Sequence, residues 1–335
     1  MHPTIVVYGA YGHTGRFIVA ELLRRGLRPV LSGRDRERLD RLASHHGGLE
    51  VRDAAVDDAA ALDRALQGAT AVIHAAGPFS ITSGPMIEAA QRAGASYLDV
   101  AAEPDIVESN IARYARACAS AGIAFAPAMA FYGALGHLAA AAAMDDWTEA
   151  DAITLACALS SWQPTEGTRA TIEVAEARRH GRRLRFADGK LELRDDSAPI
   201  GTWDFPAPLG RQRVVEEFAT ADSLTLARRF RVPVIEQCMT LDPLKDLSQP
   251  GEPQAVDALG RSAQTFLIEA KVRRGQQTRS AIVRGQDIYA VTAPLVVEAA
   301  LRLRHQRGLV TASDLGPARE FLNALAPHHL DWEIR

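Results

Sequence analysis

Along the first 130 residues the apolar positions form short unbroken runs that alternate with stripes of helical spacing. Ile5, Val6 and Val7 make the first run, and Phe17, Ile18, Val19, Leu22 and Leu23 then repeat at intervals of three and four until Gly26 stops them. Val30 and Leu31 form a second strand, followed by a helix carrying Leu39 and Leu42. "LEVRDAAVDD" gives a third strand and "ATAVIHAAGPF" a fourth. A helix around Met86 to Ala93, a strand in "ASYLDVAAE", a helix around Ile111 to Ala119 and a strand in "GIAFAPAM" complete the series. Strand and helix alternating over this length predict a doubly wound parallel sheet.

From Asp151 the pattern changes. "AITLACALSSW" reads as a strand, Thr168 to Ala177 as a helix, and "LRFADGKLELRD" as a hairpin turning at Asp188 and Gly189. "RVVEEFATADSLTLARRFRVPVIEQCMT" reads as strand, helix, strand, and "TFLIEAKVRRGQQTRSAIVRG" as a hairpin through Gly275. "TAPLVVEAALRLRHQRG" predicts a long amphipathic helix with Pro294 in its first turn and Gly308 at its end, and a shorter helix starts at Pro317. The expected fold class is α/β, a Rossmann sheet with a second α+β domain on a mostly antiparallel or mixed sheet.

The chemistry begins where the first strand meets the first helix, in "GAYGHTGR". Gly9, Gly12 and Gly15, with Ala10, Tyr11, His13 and Thr14 between them, make a tight turn at a helix N-terminus. Backbone N–H groups and the helix dipole there favour an anion, and missing Cβ atoms let a pyrophosphate come close. A glycine turn with no ligand is the competing reading, as a solvated surface arginine is for Arg34, and the next strand weighs against the first. That strand ends in Ser32, Gly33 and Arg34, where an NAD-preferring site carries an acidic residue against the ribose hydroxyl. A hydroxyl and a guanidinium suit a 2′-phosphate instead, so NADP(H) is expected over NAD(H). Val56 and Asp57 are expected near the adenine, and Ala75, Ala76, Gly77 and Pro78 along the middle of the cofactor.

Other mechanisms are limited by what the chain contains. Its 335 residues suffice for two cores, and a formal charge of -3 gives no global field for nucleic acid. Three cysteines, Cys118, Cys157 and Cys238, show no CxxC spacing, and no His, Asp, Glu or Cys cluster has metal-ligand spacing. The lysines are Lys190, Lys245 and Lys271, and none follows a tyrosine at the spacing that a short-chain dehydrogenase needs. A strand beginning by Ile5 and no membrane-length apolar run suggest an untargeted, cytoplasmic protein.

"GAYGHTGR", "SGRDRERL", "AAGPF", "SYLDVAAE", "PTEGTRAT" and "GQDIYAVTAPLVVEAALRL" together resemble the saccharopine dehydrogenase-like oxidoreductases. The resemblance implies an NADP-binding Rossmann domain over 1–130 plus 286–335, with both C-terminal helices packing back on it. It also implies an α+β substrate and dimerisation domain over 131–285, and a homodimer. The chain departs from the family at Ala101, Ala102, Glu103 and in "AFYGALG", both near the expected mouth of the active site.

The catalytic candidates are Tyr132, before a helix start, and Glu103, at the carboxyl edge of the sheet; packing and helix-start roles compete with catalysis for each. Thr168, Arg169 and His137 are candidate substrate contacts, with capping or structural hydrogen bonding as alternatives. Reduction of C=N needs only an oriented iminium, whereas a conjugated C=C needs a polarising donor and an acid. Both stay open, as does a non-catalytic NADP(H) sensor.

Overall fold

The computed structural model describes residues 3–303, 305–326 and 328–335. The chain forms two compact units, Met1–Ala130 with Thr292–Leu315, and Phe131–Val291 with Gly316–Arg335.

In the first unit β1 (Ile5–Tyr8), α1 (His13–Arg24), β2 (Val30–Gly33), α2 (Arg36–His45), β3 (Val51–Asp53), α3 (Ala59–Leu66), β4 (Ala71–His74), α4 (Phe79–Ala93), β5 (Ser96–Asp99), α5 (Pro104–Ser120) and β6 (Ala124–Ala126) alternate strictly. The sheet is parallel, in the order Gly308–Leu309, β6, β5, β4, β1, β2, β3. This is the doubly wound arrangement, whose strand order reverses beside β1. β1, β2 and β4 are buried at every position, which is why their sequences run apolar without alternation. β3 ends at Asp53, earlier than its sequence suggests, and Val56 and Asp57 lie in the loop that follows.

The helix Ile288–Arg302 carries the chain back into this unit, where Glu298 pairs with Arg25, the C-cap of α1, and with Arg302. It starts about one turn before the expected position, because the Asp287 carboxylate accepts the amides of Tyr289 and Ala290 at 2.9 and 3.0 Å. Pro294 therefore sits inside the helix and not in its first turn.

The second unit contains α6 (Gly136–Met144), β7 (Ala152–Leu159), α7 (Glu166–Arg179), β8 (Arg183–Ala187), β9 (Lys190–Arg194), β10 (Ile200–Phe205), β11 (Gly210–Glu216), α8 (Ala221–Arg229), β12 (Val234–Thr240), β13 (Thr265–Arg274) and β14 (Gln277–Gln286). Its main sheet runs β10, β11, β12, β7, β13, β14 and then Leu330–Ile334, antiparallel except for β12 on β7. β8 and β9 make the separate hairpin expected at Asp188 and Gly189. The C-terminal end divides differently from the expectation. Leu330–Ile334 pairs with β14, so this strand and the helix Ala318–Leu325 belong to the second unit and only the long helix returns to the first.

One buried carboxylate organises the start of the second unit. After the kinked turn Phe131–Leu135, in which Gly133 takes φ +124°, Asp222 accepts the Gly133 amide at 2.8 Å, the His137 amide at 3.0 Å and the Thr220 hydroxyl at 2.7 Å. A Cβ on Gly136 would lie 2.7 Å from Asp222 Oδ1, so glycine is what lets α6 seat on the carboxylate. Burial nevertheless pushes the Asp222 carboxyl up to about 6 from its ordinary 3.8. The folded protein thus binds this proton more tightly than the unfolded chain. The stability it contributes is full below pH 3.8 and is lost as pH rises through about 6. A carboxyl-detected NMR titration should place the Asp222 midpoint near 6; a midpoint below the ordinary value would mean that its three donors outweigh burial. Asp222→Ala should lower stability in urea by about 2–3 kcal/mol, since two amides lose their acceptor.

Candidate dinucleotide and catalytic site

The site is built at the carboxyl ends of β1, β2, β4 and β5. Beyond β1 the chain turns at Gly9, with φ +84°, and the Gly9 and Ala10 amides both go to the Ser32 carbonyl, at 2.9 and 3.2 Å. A Cβ on Gly15 would lie 2.1 Å from the Gly9 carbonyl oxygen, so α1 can close on the turn only with glycine there. Gly12 is the N-cap of α1 and supplies no side-chain oxygen, and the first turn carries no acidic residue. By contrast Asp35 caps α2 and Asp58 caps α3 through their own carboxylates. The start of α1 is left for an external acceptor, and a pyrophosphate fits it.

At β2 the structure corrects one expectation and adds a residue. Ser32 is fully buried and its hydroxyl donates to the Arg52 carbonyl at 2.7 Å, so it holds β2 to β3 and supports the glycine turn through its own carbonyl. Gly33 has the Tyr11 ring against it, where a Cβ would approach within 2.8 Å. Arg38 lies over that ring, 4.5 Å from its centroid, and Arg34 is exposed and makes no ion pair among the described residues. Arg34 and Asp57 both act on the Tyr8 hydroxyl, which burial pushes up to about 12, with Tyr11 and Asp57 adding and Arg34 opposing. Tyr11, Arg34 and Arg38 thus gather at one rim, a basic and aromatic edge suited to a phosphorylated ribose and its base. Arg38 escaped notice because an Arg in a charged helix reads as solvated surface.

Past β4, Ala75 donates its amide to the Tyr8 carbonyl at 2.8 Å. A Cβ on Gly9 would meet Ala75 and Ala76 at 2.9 Å, which puts the glycine turn directly on "AAGP". Gly77 is exposed and Pro78 caps α4 without a side-chain hydrogen bond.

Past β5, Glu103 is the N-cap of α5 and is 8% exposed. Its Oε2 accepts the Ala102 amide at 3.0 Å, and its Oε1 has no hydrogen-bond partner. Burial raises its pKa above the ordinary carboxylate value, and Asp99 and Asp105 add to the rise. A buried carboxyl with an open oxygen at the ligand-binding edge of a doubly wound sheet can hold a proton or meet a cation.

The remaining candidates lie in the second unit and are engaged there. Tyr132 points its hydroxyl at the Met239 sulfur, 3.4 Å away, with its ring near Trp162 and Phe218 at 5.7 and 6.1 Å, which is the packing role. His137 is fully buried and its Nδ1 meets the Thr225 hydroxyl at 2.9 Å. Thr168 meets the Thr165 and Tyr289 hydroxyls at 3.0 Å each, and Arg169 donates to the carbonyls of Leu247, Gln249 and Gly251. Tyr289, which the sequence did not single out, also takes the Trp162 indole N–H at 3.3 Å.

Residues 5–125 match the family model described as saccharopine dehydrogenase NADP binding domain. The human saccharopine dehydrogenase-like oxidoreductase is 30% identical over 139 residues, which cover 36% of this chain and 32% of the relative. A Caenorhabditis elegans lipid droplet localized protein is 31% identical over 131 residues, covering 36% and 31%. The matches therefore span about a third of the length of these relatives. Saccharopine dehydrogenase (L-Glu forming) of Saccharomyces cerevisiae superposes over 100% of both chains with a TM-score of 0.68 at 11% identity, a likeness of fold. The cytoplasmic expectation is overturned by such names: one relative is named for lipid droplets, and an Arabidopsis thaliana relative, 28% identical over 125 residues, is named as mitochondrial. No helix among the described residues is long and apolar enough to cross a membrane.

NADP(H) is the cofactor that this domain takes. In a fluorescence titration Arg34→Ala should weaken NADPH binding by about tenfold and leave NADH nearly unchanged, as loss of a charged hydrogen bond to phosphate requires. Gly15→Val should abolish binding of both. Equal loss for the two dinucleotides in Arg34→Ala would take the 2′-phosphate away from this residue.

Proposed function

With a first domain of the saccharopine dehydrogenase NADP-binding family as premise, we propose that the chain is an NADP(H)-dependent oxidoreductase that transfers hydride to or from a C=N or amino-acid-type substrate. The observation that carries the choice of bond is Glu103, buried with Oε1 open, with Asp105 acting on it and no base among the groups that do. A buried carboxyl without a cationic partner favours a basic or positively charged nitrogen over the neutral carbonyl of an enone.

The bound cofactor supplies the hydride. Glu103 then has two tasks. As a carboxylic acid it gives its proton to the nitrogen of the neutral imine; as the carboxylate left behind it orients the iminium and balances its charge until hydride addition makes the neutral amine. Burial raises its pKa, which favours the protonated form that the first of these tasks needs. The glycine turn and the basic rim at Arg34 hold the far end of the dinucleotide, so that binding there orients the reacting end. A homodimer is part of the proposal and rests on the family resemblance.

NADPH consumption by the full chain should be measured against imines formed from amines and oxo acids, alongside enones of similar size. Consumption with the imines is expected, and Glu103→Gln should lower kcat by about 100-fold while the NADPH dissociation constant stays within about twofold. Consumption with enones alone, or an unchanged kcat in Glu103→Gln, would overturn the assignment of the bond. NADPH binding with no turnover of either class would point to a redox-sensing role.

A further inference from the structure

We infer that His74, Tyr97 and Asp99 form one buried hydrogen-bond chain that keeps Asp99 protonated at neutral pH, and that this chain positions the backbone on which the cofactor lies. All three residues are fully buried, His74 and Asp99 as the last residues of β4 and β5 and Tyr97 within β5. His74 Nε2 lies 3.1 Å from the Ala76 carbonyl oxygen, His74 Nδ1 lies 3.0 Å from the Tyr97 hydroxyl, and that hydroxyl lies 2.9 Å from Asp99 Oδ2.

The protons follow from these three contacts. A carbonyl oxygen can only accept, so Nε2 carries a hydrogen and donates it to Ala76. In a neutral imidazole Nδ1 is then the acceptor, and the Tyr97 hydroxyl donates to it. Tyr97 has one hydrogen and it is committed, so the short contact with Asp99 Oδ2 needs a proton from Asp99. Asp99 Oδ1 is already occupied as an acceptor, by the amides of Ala128 at 2.7 Å and Ala101 at 3.1 Å. Three links need three protons, whereas an ionised Asp99 beside a neutral His74 supplies only two.

Burial favours the same outcome. It lowers His74 to about 3, which keeps the ring neutral, and it raises Asp99. The titratable groups that face the chain are Tyr8 of β1, edge-on to His74 at 5.6 Å, Cys118 of α5 toward Tyr97, and Glu103 beside Asp99. All three are acids, so none offers a positive charge to hold Asp99 as a carboxylate. A net-neutral chain is the form that a dry interior accepts.

The chain ties together the exits of three strands. At one end His74 fixes the Ala76 carbonyl, and Ala75 and Ala76 are the surface on which Gly9 of the phosphate turn rests. At the other end Asp99 fixes the segments leaving β5 and β6 through Ala101 and Ala128. These are positioning residues: they touch no substrate, and they hold the loops that would.

The assignment of protons stands on the contacts alone, and only its consequence for the cofactor rests on the NADP(H) reading. Nitrogen-15 histidine NMR of the full chain at pH 7 should show His74 as the neutral Nε2–H tautomer, and the infrared difference between wild type and Asp99→Asn should contain a protonated-carboxyl band. Asparagine can donate to Tyr97 and accept from both amides, so Asp99→Asn should keep the urea midpoint and hold the NADPH dissociation constant within about threefold; Asp99→Ala should weaken binding by about tenfold. A doubly protonated His74, an Nδ1–H tautomer or the absence of the band would overturn the proton assignment, and wild-type NMR gives that answer even if Asp99→Asn does not fold. Should the spectra be as expected while NADPH fails to bind, the chain stands and the cofactor reading falls.

Discussion

The approach of Gly15 to the carbonyl of Gly9 is the contact on which the first unit is built. With 2.1 Å between that oxygen and any added Cβ, α1 can begin directly on the exit of β1 only because no side chain intervenes. The closeness aims the open end of α1 at the edge of the sheet, and it leaves the Gly9 and Ala10 amides free to share the Ser32 carbonyl. β1 is thereby coupled to β2 on one side and, through Gly9 against Ala75 and Ala76, to β4 on the other. A geometry that depends on a missing atom has no softer version, so the phosphate site and the packing of the sheet are one constraint.

Around this turn, charge is separated rather than paired. Elsewhere arginines are mostly matched: Arg36 with Asp40 and Asp53, Arg92 with Asp63, Arg25 with Glu21 and Glu298. At the cofactor rim Arg34 is left open, with Arg38 stacked on Tyr11 close by. At the opposite end of the same sheet edge, beyond β5, Glu103 has Asp105 acting on it and no base. A molecule lying along that edge meets positive charge first and acid last, which suits a dinucleotide phosphate at one end and a cationic nitrogen at the other.

The sequence made the first unit legible because its strands are buried on both faces and its helices on one, so the two periods never mix. The second unit was harder to read for physical reasons that differ from element to element. β10 carries exposed residues at alternate positions and falls in a Gly- and Pro-containing stretch, so it lacks an apolar run. Leu330–Ile334 is recognisable as a strand only once β14 is beside it. Pro294 suggested a helix start because nothing in the local pattern revealed that Asp287 caps the helix earlier. Among site residues, glycines and Arg34 have signatures that act locally, whereas Tyr289 and Asp222 matter through partners more than eighty residues away. Ser32 was assigned to the ligand on residue type, and the buried partner of its hydroxyl is a fact of three dimensions.

Two buried aspartates show how little residue type and burial decide by themselves. Asp222 and Asp99 are both fully enclosed, and each accepts two backbone amides. They differ in the third partner. Thr220 has a hydroxyl hydrogen to give and directs it to Asp222 at 2.7 Å, so this carboxyl can stay an acceptor, and burial pushes it up only to about 6. Tyr97 also presents a hydroxyl, but its hydrogen is drawn to His74, whose other nitrogen is committed to a carbonyl. The proton state of Asp99 is therefore set two residues away, by the tautomer of a histidine that it never touches. A polar group that faces neither solvent nor substrate can in this way govern the backbone at a cofactor's edge.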